Sequence, residues 1–314
     1  MKDKITVIGS LNYDIILKIS RLPYKGETLP ANEAAYSAGG KGANQAVQAA
    51  KLHTPTYMVG CVGTDAAADF LVSTAKQYGV NTDYIRKVPG SSGMGIINAI
   101  DDGSVFACIV RGANYEITKQ DIDHAMPALK ESKVCILQNE IPVEMIEYAI
   151  DKAKEAGCIV VLNAAPAIEL KDEYLAKTDI LVVNEVEAAF YCKTEIDSLD
   201  KAKEEIKKTA EKYGNNVIFT LGKDGAVVYE DGKIEVIPAM KVDAVETTGA
   251  GDSYIGAVSH SIVEGKGLIE ACKFATKCSA ITVCRYGAQP SMPTLEEVER
   301  SEERRVGKEC RSRW

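Results

Sequence analysis

The stretch ETTGAGDSYIGA, from Glu246, joins a Gly-Ala-Gly turn to a carboxylate and the first turns of a helix. Glycines at a helix start leave backbone N–H groups bare, and the helix dipole adds positive potential there. Gly249, Ala250 and Gly251 therefore form a candidate anion site. Asp252 has two readings. It is either a helix N-cap, a role aspartate fills well, or a general base beside a hollow for a phosphate in transfer.

Three more constellations carry polar chemistry. In SAGGKGANQAVQAAK, from Ser37, the glycines Gly39, Gly40 and Gly42 loosen the backbone before a helix, and Lys41 and Asn44 offer donors. The Gly-x-x-x-x-Gly-Lys-Ser/Thr pattern of a P-loop is absent, so this is either a ligand loop or a tight helix entry. In GSLNYD, from Gly9, Asn12 and Asp14 occupy alternate positions of an extended segment and so point to one side. They suit a pair of sugar hydroxyls, or are simply turn residues. In NEVE, Asn184 and Glu187 lie three apart at a strand-to-helix junction. That spacing fits an N-cap with its capping-box glutamate, or oxygen donors for the water shell of Mg²⁺. His53, His124 and His260 fall outside all four, which argues against histidine-based catalysis or metal binding.

These residues need a frame. Strand-like runs start at Ile5, Thr56, Lys133, Ile159, Ile180 and Val217. Helical stretches run over 44–51, 66–78, 142–156 and 200–213, with Pro142 and Gly157 as start and stop signals. Uniformly apolar strands separated by helices imply an α/β fold with a mainly parallel sheet covered on both faces. Ligands of such sheets bind beyond the strands' C-terminal ends, where Asn12, Glu140, Asn184, Thr220 and Gly222 fall. Two segments break the alternation: Ile15 onward with Glu27 onward, and GMGIINAID turned by Asp102-Gly103 into SVFACIVRG. They predict a small separate sheet, a lid over the strand ends formed by about 11–37 and 93–112, within one domain over 1–300.

The chain has 314 residues, 26% of them charged, with a net charge of -8. That acidity argues against nucleic-acid and anionic-membrane partners. The 9 Cys show no Cys-x-x-Cys or zinc spacing and mostly sit in apolar runs, as reduced thiols of a cytoplasmic protein do. The opening MKDKITVIGS runs straight into a strand and does not read as a signal peptide. Residues 301–314, rich in Arg and carrying Trp314, lack periodicity and read as a disordered or non-native tail.

Taken in order, ITVIGSLNYD, GGKGANQA, LNAAPA, VNEVEA, TLGKDGA, GAGDSYIGA and YGAQPS make the chain resemble the ribokinase/fructokinase-type (PfkB) carbohydrate kinases over nearly its whole length. The resemblance implies ATP-dependent phosphorylation of a sugar, with GGKGANQA and GAQPS favouring the 5-hydroxyl of D-ribose. The alternatives are deoxyribose, a fructose-type sugar or a nucleoside as acceptor, or a non-catalytic sugar sensor. It also implies roles. Asn12, Asp14, Gly40, Lys41, Asn44 and Glu140 bind the sugar, and Asp252 takes the proton of its hydroxyl. The amides of Gly249, Ala250 and Gly251 stabilise the phosphoryl group. Asn184 and Glu187 organise Mg²⁺ and the ATP phosphates, and Thr220, Gly222, Gly225 and Thr276 line the nucleotide site. A K⁺ site falls on Glu246, Thr248, Thr282, Arg285, Gly287 and Ser291. A homodimer through the lid is implied as well. Two departures stand out. Glu246 replaces the usual Asp, moving a cation ligand by roughly one C–C bond length and altering K⁺ dependence. Tyr13 is bulky for its place and predicts a narrowed or re-aimed sugar pocket.

Overall fold

The computed structural model describes residues 2–101 and 105–301. The Asp102-Gly103 turn and residues 302–314 of the tail lie outside the described residues.

Strand β1 (Lys4–Ile8) is followed by β2 (Asn12–Ile19), β3 (Glu33–Gly39) and helix α1 (Lys41–Lys51). Next come β4 (Thr56–Val62), α2 (Ala66–Gln77), β5 (Asn81–Lys87), β6 (Gly93–Ile100) and β7 (Val105–Val110). The chain continues through α3 (Lys119–His124), α4 (Met126–Glu131), β8 (Ser132–Gln138), α5 (Val143–Glu155), β9 (Ile159–Asn163) and α6 (Asp172–Leu175). Then follow β10 (Ile180–Asn184), α7 (Glu185–Cys192), α8 (Leu199–Tyr213), β11 (Asn216–Thr220), β12 (Ala226–Glu230) and β13 (Lys233–Ile237). Two helices, α9 (Ala250–Val263) and α10 (Leu268–Thr282), follow the strands.

The large sheet has the order β13-β12-β11-β10-β9-β8-β1-β4-β5. Every pair from β5 to β11 is parallel, and only the β11–β12 and β12–β13 pairs are antiparallel. This is the mainly parallel sheet the apolar runs imply. Both faces are covered, because alternate strand residues feed separate cores. Val7 and Ile136 pack with Val47 of α1 and Val258 of α9, while Ile8 and Leu137 pack with Ile146 of α5 and Ile206 of α8. Helix α9 carries no solvent stripe. Every residue from Asp252 to Ile262 is buried, since the helix lies against both α1 and α10. The sequence reading did not anticipate β5, β12 and β13. β5 is polar and half-exposed at the sheet edge, so it lacks the apolar run that marks the central strands.

The second sheet has the order β3-β2-β6-β7, with β2 and β6 parallel at its centre and antiparallel partners outside. β2 leaves β1 after only three residues, so this sheet stands over the C-terminal end of β1, as a lid does. Strand pairing of β3 begins at Glu33 rather than Glu27. Glu27 is instead held by Arg21 through two contacts, at 2.6 and 2.7 Å.

Candidate active site

Helix α9 starts where the glycines predict, but its N-cap is Gly249, at φ 77°, and not Asp252. The left-handed backbone favours glycine, and a Cβ at Gly249 would come within 3.1 Å of Ala288. Asp252 is the third helical residue, so its side chain is not consumed by capping. Nothing lies within 4 Å of the Cβ position of Gly251, which is exposed. The space beside Gly251, next to a carboxylate, is thus open, while the Ala250 N–H donates back to Thr247 O at 3.2 Å.

Asp252 is 9% exposed. Its Oδ2 accepts from Asn44 Nδ2 and its Oδ1 from Gln45 Nε2, both at 2.9 Å. Both donors lie near the start of α1, which begins at Lys41, three residues before the sequence reading placed it. The entry glycine Gly40 has φ 87°, and a Cβ there would meet Asn12 N at 2.7 Å. The glycine run therefore serves close backbone contact as well as helix entry.

Asn12 and Asp14 share one face of β2. Asn12 Oδ1 accepts from Asn114 Nδ2 at 2.7 Å, and the other end of Asn114 accepts from Leu11 N at 2.9 Å. The Asp14 carboxylate fills a slot made by two glycines: a Cβ on Gly39 or Gly95 would lie 1.9 or 2.4 Å from its oxygens. Burial pushes Asp14 up to about 7, helped by the negative charges of Glu140 and Asp252, against a bond from the Gly95 backbone. Tyr13 points the other way. Its ring stacks on Tyr36 at 5.8 Å and meets Phe70 edge-on at 5.5 Å, so it does not narrow the pocket. Period-two alternation already dictates this.

Glu140, after β8, accepts from the Ser10 hydroxyl at 2.5 Å and from Lys41 N at 3.1 Å. Burial disfavours the Lys41 ammonium, but the carboxylates of Asp252, Glu140, Glu187 and Asp14 outweigh that and hold its pKa above the ordinary lysine value. Lys41 is thus a charged hub among four acids drawn from α9, the segment after β8, α7 and β2.

Asn184 and Glu187 form a capping box on α7. Asn184 Oδ1 accepts from the N–H groups of Val186 and Glu187 at 2.9 and 3.0 Å, and Glu187 Oε2 accepts from Asn184 N at 2.9 Å. Of the two readings of NEVE, the capping one is realised. Glu187 is nonetheless buried, and burial raises its pKa. Among the described residues no group of three His, Cys, Asp or Glu is placed to cage a metal.

Thr220 ends β11, Gly222 and Gly225 bracket the turn into β12, and the Thr276 hydroxyl donates to Cys272 O at 2.9 Å within α10. Glu246 Oε2 accepts from Gly287 N at 2.9 Å. Thr282 bonds Ser253 at 2.9 Å, Ser291 bonds Ala288 O at 2.7 Å, and Arg285 pairs with Glu297 at 2.9 Å. Thr248 is exposed just before the glycine turn. A cavity of about 670 Å³, lined by His53, His260, Lys266 and Phe274, lies at the far end of α9 from this chemistry.

Sequence reasoning missed the polar residues that hold these groups: Ser10, Gln45, Asn114, Gln138 and Gln289. One signal was present, since Gln45 and Gln48 interrupt the buried face of α1.

A family model described as pfkB family carbohydrate kinase matches residues 2–295. A deoxyribokinase of Salmonella typhi is 38% identical over 297 residues, 93% of this chain and 96% of that protein. A ribokinase of Schizosaccharomyces pombe is 38% identical over 310 residues, covering 95% and 97%. Among solved structures, an Arabidopsis thaliana ribokinase complexed with ribose and ATP superposes with a TM-score of 0.87 at 31% identity, over 96% of this chain and 98% of that one. A Thermotoga maritima ribokinase gives 0.85 at 36% identity, over 94% and 98%.

Proposed function

The chain belongs to the pfkB family of carbohydrate kinases, and from that premise we propose that it transfers the γ-phosphate of ATP to the 5-hydroxyl of D-ribose, with Asp252 as general base. The observation that carries this reading is the meeting of a buried, oriented carboxylate with the open space at Gly251 where α9 starts. Phosphoryl transfer has a loose transition state with charge spread over the phosphoryl oxygens, so positioning and electrostatics supply most of the catalysis. The N–H groups of Gly249, Ala250 and Gly251 provide fixed dipoles for that charge. Asp252 accepts the hydroxyl proton. Asn12, Asp14, Gly40, Lys41, Asn44 and Glu140 ring the sugar, and the Lys41 charge offsets the surrounding acids.

Thr220, Gly222, Gly225 and Thr276 border the nucleotide. Mg²⁺ fits the donors at the α7 end: one buried carboxylate, Glu187, suits an ion that keeps most of its waters. When bound, the ion neutralises phosphate charge. For K⁺, Glu246 and the backbone around Thr248, Thr282, Arg285, Gly287 and Ser291 supply oxygens, although one oxygen of Glu246 is engaged by Gly287. The lid sheet exposes Tyr36 and Phe106 on the face opposite Asp14, apolar surface suited to a second copy, and we read the protein as a homodimer. No helix of the described residues is long and apolar enough to cross a membrane. Buried reduced thiols at Cys61, Cys135 and Cys158 support a cytoplasmic setting.

A second acceptor has support: the Salmonella typhi relative is a deoxyribokinase. A coupled ADP-release assay over ribose, 2-deoxyribose, fructose and nucleosides tests both readings. The highest kcat/KM on ribose supports the first, and the highest on 2-deoxyribose replaces it. Silence on every acceptor overturns the kinase reading.

A further inference from the structure

Both oxygens of Asp252 are held by amides, and each of those amides is held by another. Gln138 Nε2 donates to Gln45 Oε1 at 2.7 Å, and Gln45 Nε2 donates to Asp252 Oδ1. In parallel, Gln289 Nε2 donates to Asn44 Oδ1 at 3.1 Å, and Asn44 Nδ2 donates to Asp252 Oδ2. Gln45 and Gln138 are 0% exposed and Gln289 2%.

The polarity of these chains is dictated from the Asp252 end. An ionised carboxylate only accepts, so each facing amide must present its NH₂ group. That turns the carbonyls of Asn44 and Gln45 outward, where only a donor satisfies them. Gln138 and Gln289 must then present their own NH₂ groups, which strands their carbonyls. Gln138 Oε1 and Gln289 Oε1 are indeed buried without a partner. Gly9 leaves room for the first of these, since a Cβ there would sit 1.9 Å from Gln138 Oε1. An unpaired buried carbonyl costs stability, and here the cost falls on the two residues farthest from the base.

We propose that these two chains, Gln138 to Gln45 and Gln289 to Asn44, lock the Asp252 carboxylate in one orientation for proton removal. On this account Gln45, Gln138 and Gln289 are positioning residues for phosphoryl transfer, a role that rests on the kinase reading above. Gln138 acts only through Gln45. Gln289 acts through Asn44, which also faces the sugar.

Steady-state kinetics of Gln138→Met test this on the sugar that the wild-type protein phosphorylates. The expected result is kcat lower by about 10- to 100-fold, the scale of a misplaced catalytic group, with the KM of sugar and ATP unchanged. Gln289→Met should lower kcat and raise the sugar KM together. In an Asp252→Asn background, Gln138→Met should cost nothing further, because no base remains to be oriented. Gln138→Glu gives a readout that packing alone cannot mimic. Its acid form donates to Gln45 and its carboxylate cannot, so its kcat relative to wild type should rise as pH falls from about 8 to about 6. Full kcat in Gln138→Met overturns the relay, as does an undiminished loss in the Asp252→Asn background. If Gln138→Met fails to fold, the Glu variant decides, and a pH-independent ratio counts against the relay. A wild-type protein silent on every sugar is a separate result that sinks the kinase reading itself.

Discussion

Glu246 and Gly287 are joined by a 2.9 Å hydrogen bond from the Gly287 backbone N–H to Glu246 Oε2, tying the segment before the glycine turn to the one after α10. The same carboxylate stands where a cation ligand is expected. Its extra methylene lets it span the two segments, so part of its bonding capacity goes into the protein itself. Glu246→Asp shortens the reach, should release Gly287 and should increase activation by K⁺. Initial rates across a KCl series, with ionic strength held constant by a quaternary ammonium salt, measure this. Identical K⁺ responses in both forms would count against the assignment of position 246.

Asp252→Asn should bind sugar and ATP as the wild type does but turn over at least ~100-fold more slowly, the scale of a positioned base. Calorimetric titration and single-turnover assays separate the two effects. A near-normal turnover removes Asp252 from the role of base.

Asp14 links the site to stability. Its folded-state pKa, about 7, lies above its ordinary value of 3.8. The folded state therefore holds an extra proton between those values, and stability falls as pH rises through that window. Above it, the buried charge costs roughly 2–4 kcal/mol by the usual conversion, discounted for partial exposure. Asp14→Asn should melt higher than wild type at pH about 8, with a smaller gain at pH about 5, while its sugar KM rises steeply. Parallel melting curves at the two pH values would refute this if the wild-type and variant difference stayed constant.

His260 has the opposite character. Burial beside α10 pushes it down to about 4, while its Nδ1 meets the Thr54 hydroxyl at 2.7 Å. Below the unfolded histidine value the unfolded chain binds the proton first, so stability is lost as pH falls from about 6.5 toward 4. His260→Gln should flatten that acid limb, provided it keeps the contact to Thr54, and urea midpoints between those pH values report it.

Gly40→Ala tests the entry to α1. The positive φ and the 2.7 Å approach of the new Cβ to Asn12 N leave no relaxed arrangement. A loss of about 2 kcal/mol or more is expected, with weaker sugar binding because Asn12 and Lys41 flank the strained link. Chemical denaturation and sugar titration read the two effects separately, and an unchanged midpoint would show that the backbone gives way.

The sheet was legible because its central strands are buried on both faces: ITVIG, KVCILQ and ILVVN are apolar at consecutive central positions instead of alternating, the pattern of a covered parallel sheet. The site's outline was legible for a local reason. GAGD, GGKG and NEVE place glycines and polar groups at helix starts, where a few neighbouring residues decide the geometry. The sequence alone left open whether Asp252 capped its helix and whether Tyr13 intruded on the sugar. The backbone angle at Gly249 answers the first, and the alternation of β2 answers the second.

What only the tertiary structure decided is who holds the active groups. Gln45 reaches Asp252 across 207 residues and Gln289 reaches Asn44 across 245. Nothing in the spacing of a glutamine announces its partner, since an amide bonds equally well in either sense until a fixed charge orders it. Motifs report what the neighbouring backbone needs. A buried polar chain depends on which elements the fold brings into contact, and here those are the start of α1, the end of β8, the first turn of α9 and the segment after α10.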